Sequence, residues 1–173
     1  MNLTRNAALL IVQYARYHRD PRNIATHLVG IPLIVVGIGV LLSHPTIPLD
    51  PGSPWVLSPA WALWAAASLW YVTRGHPLIS TAVIAANGLA MALAHWVSLQ
   101  AGGDWLAWGI GLFVAGWVIQ FIGHYYEGRK PAFVDDIVGL LVGPMFVVGE
   151  AMMALGMLGN LHRAIDRQAG PVR

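Results

Sequence analysis

Two short stretches hold most of the residues that could do chemistry. In "YHRDPRNIATHLVGIPL", residues 17–33, His18 and His27 stand nine positions apart with Asn23 between them. In "QFIGHYYEGRKPAF", residues 120–133, Gln120, His124 and Glu127 fall at i, i+4 and i+7. Helical spacing puts Asn23 and His27 on one face, and Gln120, His124 and Glu127 on another. Imidazole beside amide or carboxylate suits iron or zinc, with neutral imidazole as the main ligand. The chain has no cysteine, which excludes thiolate ligands, disulfides and a cysteine nucleophile. No HExxH or comparable metal motif is present. The spacing alone therefore leaves a plainer alternative open: hydrogen-bonded interfacial histidines, Glu127 paired with Arg129 or Lys130, and Gln120 bonded across helices.

The elements that must position these residues are apolar helices. Of the 173 residues 57% are hydrophobic and 10% charged, against about 45–50% and about 25% in a soluble domain. The formal charge of +2 comes from ten scattered Lys and Arg that form no dense basic patch, so no nucleic-acid partner is expected. Apolar stretches run over 28–42, 55–72, 77–99, 105–123 and 137–158, and a span needs about 20 residues. The expected fold class is all-α: a polytopic integral membrane protein with about four transmembrane helices, an N-terminal interfacial helix and a broken C-terminal hydrophobic hairpin. Residues 1–173 form a single membrane domain in this reading, with 1–20 the interfacial helix and a lead-in turn. Residues 21–126 supply the four spans, and 127–173 a loop, the hairpin and a basic tail. Asp20 is placed to cap a helix with Pro21 at its first position. Residues 3–17 are expected to lie at the membrane interface with Leu9, Leu10 and Tyr14 facing the lipid. Gly139, Gly143, Pro144 and Gly149 are expected to break the last apolar stretch into a hairpin that returns to the side it entered from. The first seventeen residues lack the layout of a signal peptide.

Charge orients the spans. Arg5, Arg16, Arg19 and Arg22 precede the first, Arg74 lies between the second and third, and Arg129 with Lys130 follows the fourth. The other two loops hold only Asp50 and Asp104. The positive-inside rule then puts the N-terminus in the cytoplasm. His18, His27, His76, His124 and His162 fall on the cytoplasmic side, and His44 and His95 toward the other. A bacterial inner membrane and an endoplasmic reticulum fit equally.

The motifs "YHRDPRNIATHLVGIP" and "QFIGHYYEGRKPAFVDD", followed by "GPMFVVGE", resemble a membrane family of 2-hydroxy fatty acid dioxygenases whose yeast member acts in phytosphingosine breakdown. The resemblance covers nearly the whole chain in order and length. It implies an Fe(II)-dependent enzyme that shortens a 2-hydroxy fatty acid by one carbon, using O2 without 2-oxoglutarate. Family histidines match His18, His27 and His124, the implied metal-binding and catalytic set, with His76 or Glu127 as a further candidate ligand. Asn23, Gln120, Pro131 and Glu150 also fall on familiar positions. Asn23, Gln120, Glu127, Arg129, Lys130 and Glu150 are the candidates for holding the substrate or supporting the ligands. Arg129 and Lys130 have the alternative role of membrane anchors, and Glu150 that of a buried protonated acid. The acyl tail would lie among the spans, where Ala65 to Ala67, Gly109, Gly111, Trp64 and Trp117 can make close helix contacts or a greasy slot. The implied partners are a 2-hydroxy fatty acid, O2 and the bilayer, and a homo-oligomer stays open. Two rival readings are a haem-binding helix bundle and a transporter or scaffold; the absence of HxxxH and HxxHH argues against a di-iron desaturase.

Overall fold

Asp20 and Pro21 start the first long helix as their chemistry requires. The Asp20 carboxylate accepts from the Arg22 amide at 2.8 Å, and Pro21, which has no N–H to leave unsatisfied, takes the first helical position. The computed structural model describes residues 5–51, 56–131 and 138–172. It contains α1 (Ala7–Ala15), α2 (Pro21–Leu41), α3 (Pro59–Val72), α4 (Pro77–Ala101), α5 (Trp105–Glu127), α6 (Gly139–Ala154) and α7 (Gly159–Ala169). A two-residue antiparallel pair, β1 (Ile47–Pro48) with β2 (Val56–Leu57), links α2 to α3. Proline also opens α3 and α4.

Among the described residues, two helical runs can cross a membrane by length and composition: α2, and the 51-residue run Pro77–Glu127. The second is divided at Gly102, whose φ of +53° reverses the chain between α4 and α5. The bent pair α6 and α7, 114° apart, counts as a third only if taken as one span.

α2 and α5 run antiparallel along a seam of small residues. Leu41 lies on Gly109, Gly37 on Phe113, Gly30 on Gly116, and Asn23 with Thr26 on Gly123. A Cβ on Gly116 would sit 2.7 Å from the Gly30 carbonyl oxygen. Only glycine permits the helices to lie so close. On the other side of α2, Gly39 lies on Ala94 and Met91 of α4. α3 returns antiparallel to α4, with Trp64 Nε1 donating to the Ile84 carbonyl at 3.0 Å and Ser80 Oγ to the Tyr71 carbonyl at 2.7 Å.

Two expectations are corrected. α1 does not turn Leu10 and Tyr14 to the lipid: with Ile11 they are buried in a core with Val142, Met145 and Phe146 of α6 and Leu161 and Ile165 of α7, while Leu9 is exposed. The helix is pinned there by the Ala7 amide, which donates to the Arg74 carbonyl at 2.9 Å. Residues 139–154 form one helix that continues through Gly143, Pro144 and Gly149, so the break expected at those residues does not occur there; the bent pair α6 and α7 is a broken span or a re-entrant loop. Pro144 weakens the preceding turn, and the Tyr71 hydroxyl supports it by donating to the Leu141 carbonyl at 2.9 Å. The chain turns later, at Gly156 with φ +77°, and the tail folds as the amphipathic helix α7.

Candidate metal centre

The lead-in turn between α1 and α2 carries His18; α2 carries His27 one turn after Asn23; the last turn of α5 carries His124. All three are buried, His18 and His27 completely. His18 Nδ1 lies 2.7 Å from the Tyr14 carbonyl and His27 Nδ1 lies 2.8 Å from the Asn23 carbonyl. A carbonyl only accepts, so each Nδ1 carries the proton and each Nε2 keeps its lone pair. The two Nε2 atoms face one another at 3.0 Å. His124 closes the group, its ring 5.0 Å from that of His18 and 4.9 Å from that of His27. One ring nitrogen from each of the three lies within 4.8 Å of the others. Burial, reinforced by repulsion from His27, holds His18 well below the ordinary imidazole range. It therefore enters the group neutral, the form that ligates. Inward lone pairs at 3.0 Å repel unless a cation lies between them, and anchoring of the other ring nitrogen on a carbonyl is how ligand histidines are oriented. The donor set fits a divalent metal.

Glu127 ties the pieces together. Its Oε2 accepts from the amides of Arg19 at 2.9 Å and Asp20 at 2.8 Å, and from Asn23 Nδ2 at 3.1 Å. One carboxylate thus fixes the His18 turn and the start of α2 to the end of α5. It acts as a brace, and the group of ring nitrogens consists of His18, His27 and His124 without it. Glu127→Ala strands three donors, at about 1–3 kcal/mol for each one left unsatisfied. The expected result is a lower melting temperature and a metal affinity reduced about 10–100-fold, read by thermal unfolding and metal titration.

A family model described as "2-hydroxy-palmitic acid dioxygenase Mpo1-like" matches residues 5–155, which include all three histidines. The chain belongs to the Mpo1-like family. A curated relative of this Mpo1-like chain is the 2-hydroxy-palmitic acid dioxygenase MPO1 of Saccharomyces cerevisiae. It is 28% identical over 155 residues, covering 88% of this chain and 83% of the yeast protein. No solved structure matches the chain.

The other expected site residues of the Mpo1-like chain fall in different places. Gln120 is buried on α5 one turn before His124 and reaches His27. His76 stands apart from the group: it caps α4, its Nδ1 accepting from the Ile79 amide at 3.4 Å. Glu150 is one turn past Phe146, with Arg19, His162 and Asp166 among its charged neighbours. Arg129 is exposed and donates to the Arg16 carbonyl at 2.6 Å, Lys130 is exposed, and Pro131 follows in the loop. His44 is at the opposite end of α2, 3.2 Å from Ser98 Oγ. Sequence reasoning missed Tyr14, whose ring stacks on His18 at 4.2 Å, and Phe146, which packs on both. The i, i+4 spacing of Tyr14 and His18 was the available signal. It also missed Arg19, buried beside the site and paired with Asp166 at 3.1 Å.

Proposed function

We propose that this protein is an integral membrane, Fe(II)-dependent dioxygenase that converts a 2-hydroxy fatty acid to the acid one carbon shorter. The observation that carries the reading is the buried group of His18, His27 and His124, two of whose imidazoles are fixed with their Nε2 lone pairs inward. Membership in a family named for a dioxygenase supports the reaction class. Zinc would suit three imidazoles, but it has no redox chemistry, and iron is the reading that joins the donor set to O2. When bound, iron supplies Lewis acidity and electron transfer to O2.

The atoms balance without a second organic substrate: a 2-hydroxy acid and O2 give the shortened acid, carbon dioxide and water. The bond between C1 and C2 breaks, and the four electrons released from the acid reduce O2. Within the chain, the Tyr14 and Asn23 carbonyls hold the tautomers of His18 and His27, and Glu127 keeps the His18 turn at the His124 end. The Tyr14 and Phe146 rings cover the histidines and keep water from them.

Four crossings, α2 to α5, are our reading of the membrane arrangement. Leu69, Leu89, Leu106, Ile110, Val114 and Val118 are exposed around these helices, as a lipid-facing belt requires. α3 has 14 residues, about 21 Å of helix against a hydrocarbon core of about 30 Å, so the bilayer thins beside it or the ends of α3 snorkel. Arg16, Arg22, Arg129, Arg163 and Arg167 gather at the end that carries the histidines, and the positive-inside rule makes this distribution support a site at the cytoplasmic face.

The test is elemental analysis of detergent-purified protein, with O2 uptake and product identification on 2-hydroxypalmitate. Bound iron and pentadecanoate formation support the reading; a metal-free protein that consumes no O2 with added ferrous iron overturns it. Loading metal onto chelator-treated protein should also raise its stability by about 2.7 kcal/mol at a hundredfold excess over Kd, seen as an upward shift in melting temperature.

A further inference from the structure

A cavity of about 180 Å³ opens beside the histidine group between α2, α5 and α6. Its lining is divided by polarity. The end next to the histidines has Tyr14 and Gln120; beyond them the walls are apolar, among them Ile34, Val35, Ile38 and Phe113. Tyr14 is 6% exposed, and its ring carries a hydroxyl at this end of the cavity. That hydroxyl reaches Gly143, where an added Cβ would come within 3.4 Å of it, and Gly143 lines the same cavity. A second cavity of about 120 Å³ continues toward α3 and α4, sharing Val35, Ile38, Leu140 and Pro144 with the first. Trp64, Ala67 and Met91 line its far side. Together the two reach the lower end of the size range of ligand pockets, about 300 Å³.

We propose that this bent pair of cavities is a measuring slot for the acyl chain, with the substrate's polar end held by Tyr14 and Gln120 and its terminal methylenes ending against Ala67 and Met91. The proposal rests on the 2-hydroxy fatty acid reading and extends it to chain-length selection. Depth supports it: Ile38 is eleven positions beyond His27 on α2, a rise of about 16 Å. That is about half of the 30 Å hydrocarbon core, the depth to which one leaflet's own acyl chains reach. Polarity supports it as well, because a phenol hydroxyl and an amide at one end of an otherwise apolar slot can donate to a carboxylate or a 2-hydroxyl. Gly143 leaves the hydroxyl uncovered, and Pro144, lacking an N–H, presents only apolar surface at the bend.

Three variants and one probe test it. Ala67→Leu fills the far end, and Met91→Ala enlarges it. Burial of a methylene is worth about fourfold in kcat/KM. The preference for C16 over C12 2-hydroxy acids should therefore fall at least about tenfold in Ala67→Leu and shift toward C18 in Met91→Ala. Tyr14→Phe keeps the ring stack on His18 but removes the donor. It should lower kcat/KM about 10–100-fold at every chain length with metal content unchanged. A 2-hydroxypalmitate carrying a photoreactive diazirine at its methyl end should label α3 and α4 near Trp64 and Met91. Unaltered chain-length profiles in both slot variants, or labelling of the lipid-facing α5 residues Leu106, Ile110 and Val114 instead, overturn the slot. If the parent turns over no 2-hydroxy acid while the probe still labels Trp64 and Met91, the slot stands and the reaction reading fails.

Discussion

His27→Ala and His124→Ala, purified in detergent, are each expected to retain less than about a tenth of the parent's iron and to lose O2 uptake at least about a hundredfold. Partners that merely orient a ligand already cost 10–100-fold in metal affinity or activity when removed, and these histidines would be the ligands themselves. The arrangement gives each loss a specific cause. Removing His27 takes away the nitrogen that faces His18 Nε2 at 3.0 Å; removing His124 takes away the ring nitrogen that α5 brings to the group. His44→Ala is the control, since His44 is at the far end of α2 beside Ser98, and it should keep both metal and activity. Elemental analysis and an oxygen electrode decide the matter. Equal loss in His44→Ala would overturn the assignment of the site to the other end of the bundle.

Gly116→Leu should weaken metal binding from a position that touches no ligand. A Cβ at residue 116 would come 2.7 Å from the Gly30 carbonyl oxygen and 2.9 Å from the Ile34 amide nitrogen. Both are backbone atoms of α2, so the helices must separate. Overpacking of this kind costs about 1–3 kcal/mol, and the larger consequence is geometric. His27 is three residues before Gly30, and His124 is eight residues after Gly116, on the two helices being forced apart. Expected results are a lower melting temperature and a metal affinity reduced at least about tenfold. Gly111→Ala, where an added Cβ meets nothing within 4 Å, should change neither. If Gly116→Leu bound metal as the parent does, the seam would have no part in bringing the histidines together.

The three-histidine group was legible in the sequence because two signals met the family resemblance, which alone singled out His18 with His27 and His124. The i, i+4 stripes put amide beside imidazole, and the distribution of Arg and Lys gathered the same histidines at one membrane face. The Asp20 cap with Pro21 was legible because capping is local chemistry. The role of Glu127 was not: its acceptor bonds go to amides more than a hundred positions away, and no local pattern predicts which backbone N–H a carboxylate will meet. α1 misled because an apolar helix looks the same whether it faces lipid or protein; its burial against α6 and α7 is a tertiary fact. The C-terminal stretch misled for a related reason. Glycine and proline signal a break when a helix stands alone, but a neighbouring Tyr71 hydroxyl can hold the weakened turn together.

The histidines of this group lie 97 positions apart between His27 and His124. At ordinary synthesis rates of about 5–20 residues per second, the ribosome needs about 5–20 s to deliver the third after the second. During that interval α2 has no α5 to dock against, and its two polar stripe residues must stay at the membrane surface or be shielded by the insertion machinery. On the proposed reading, metal uptake waits for α5: a chain that has not inserted α5 beside α2 lacks the His124 nitrogen and should bind the ion weakly.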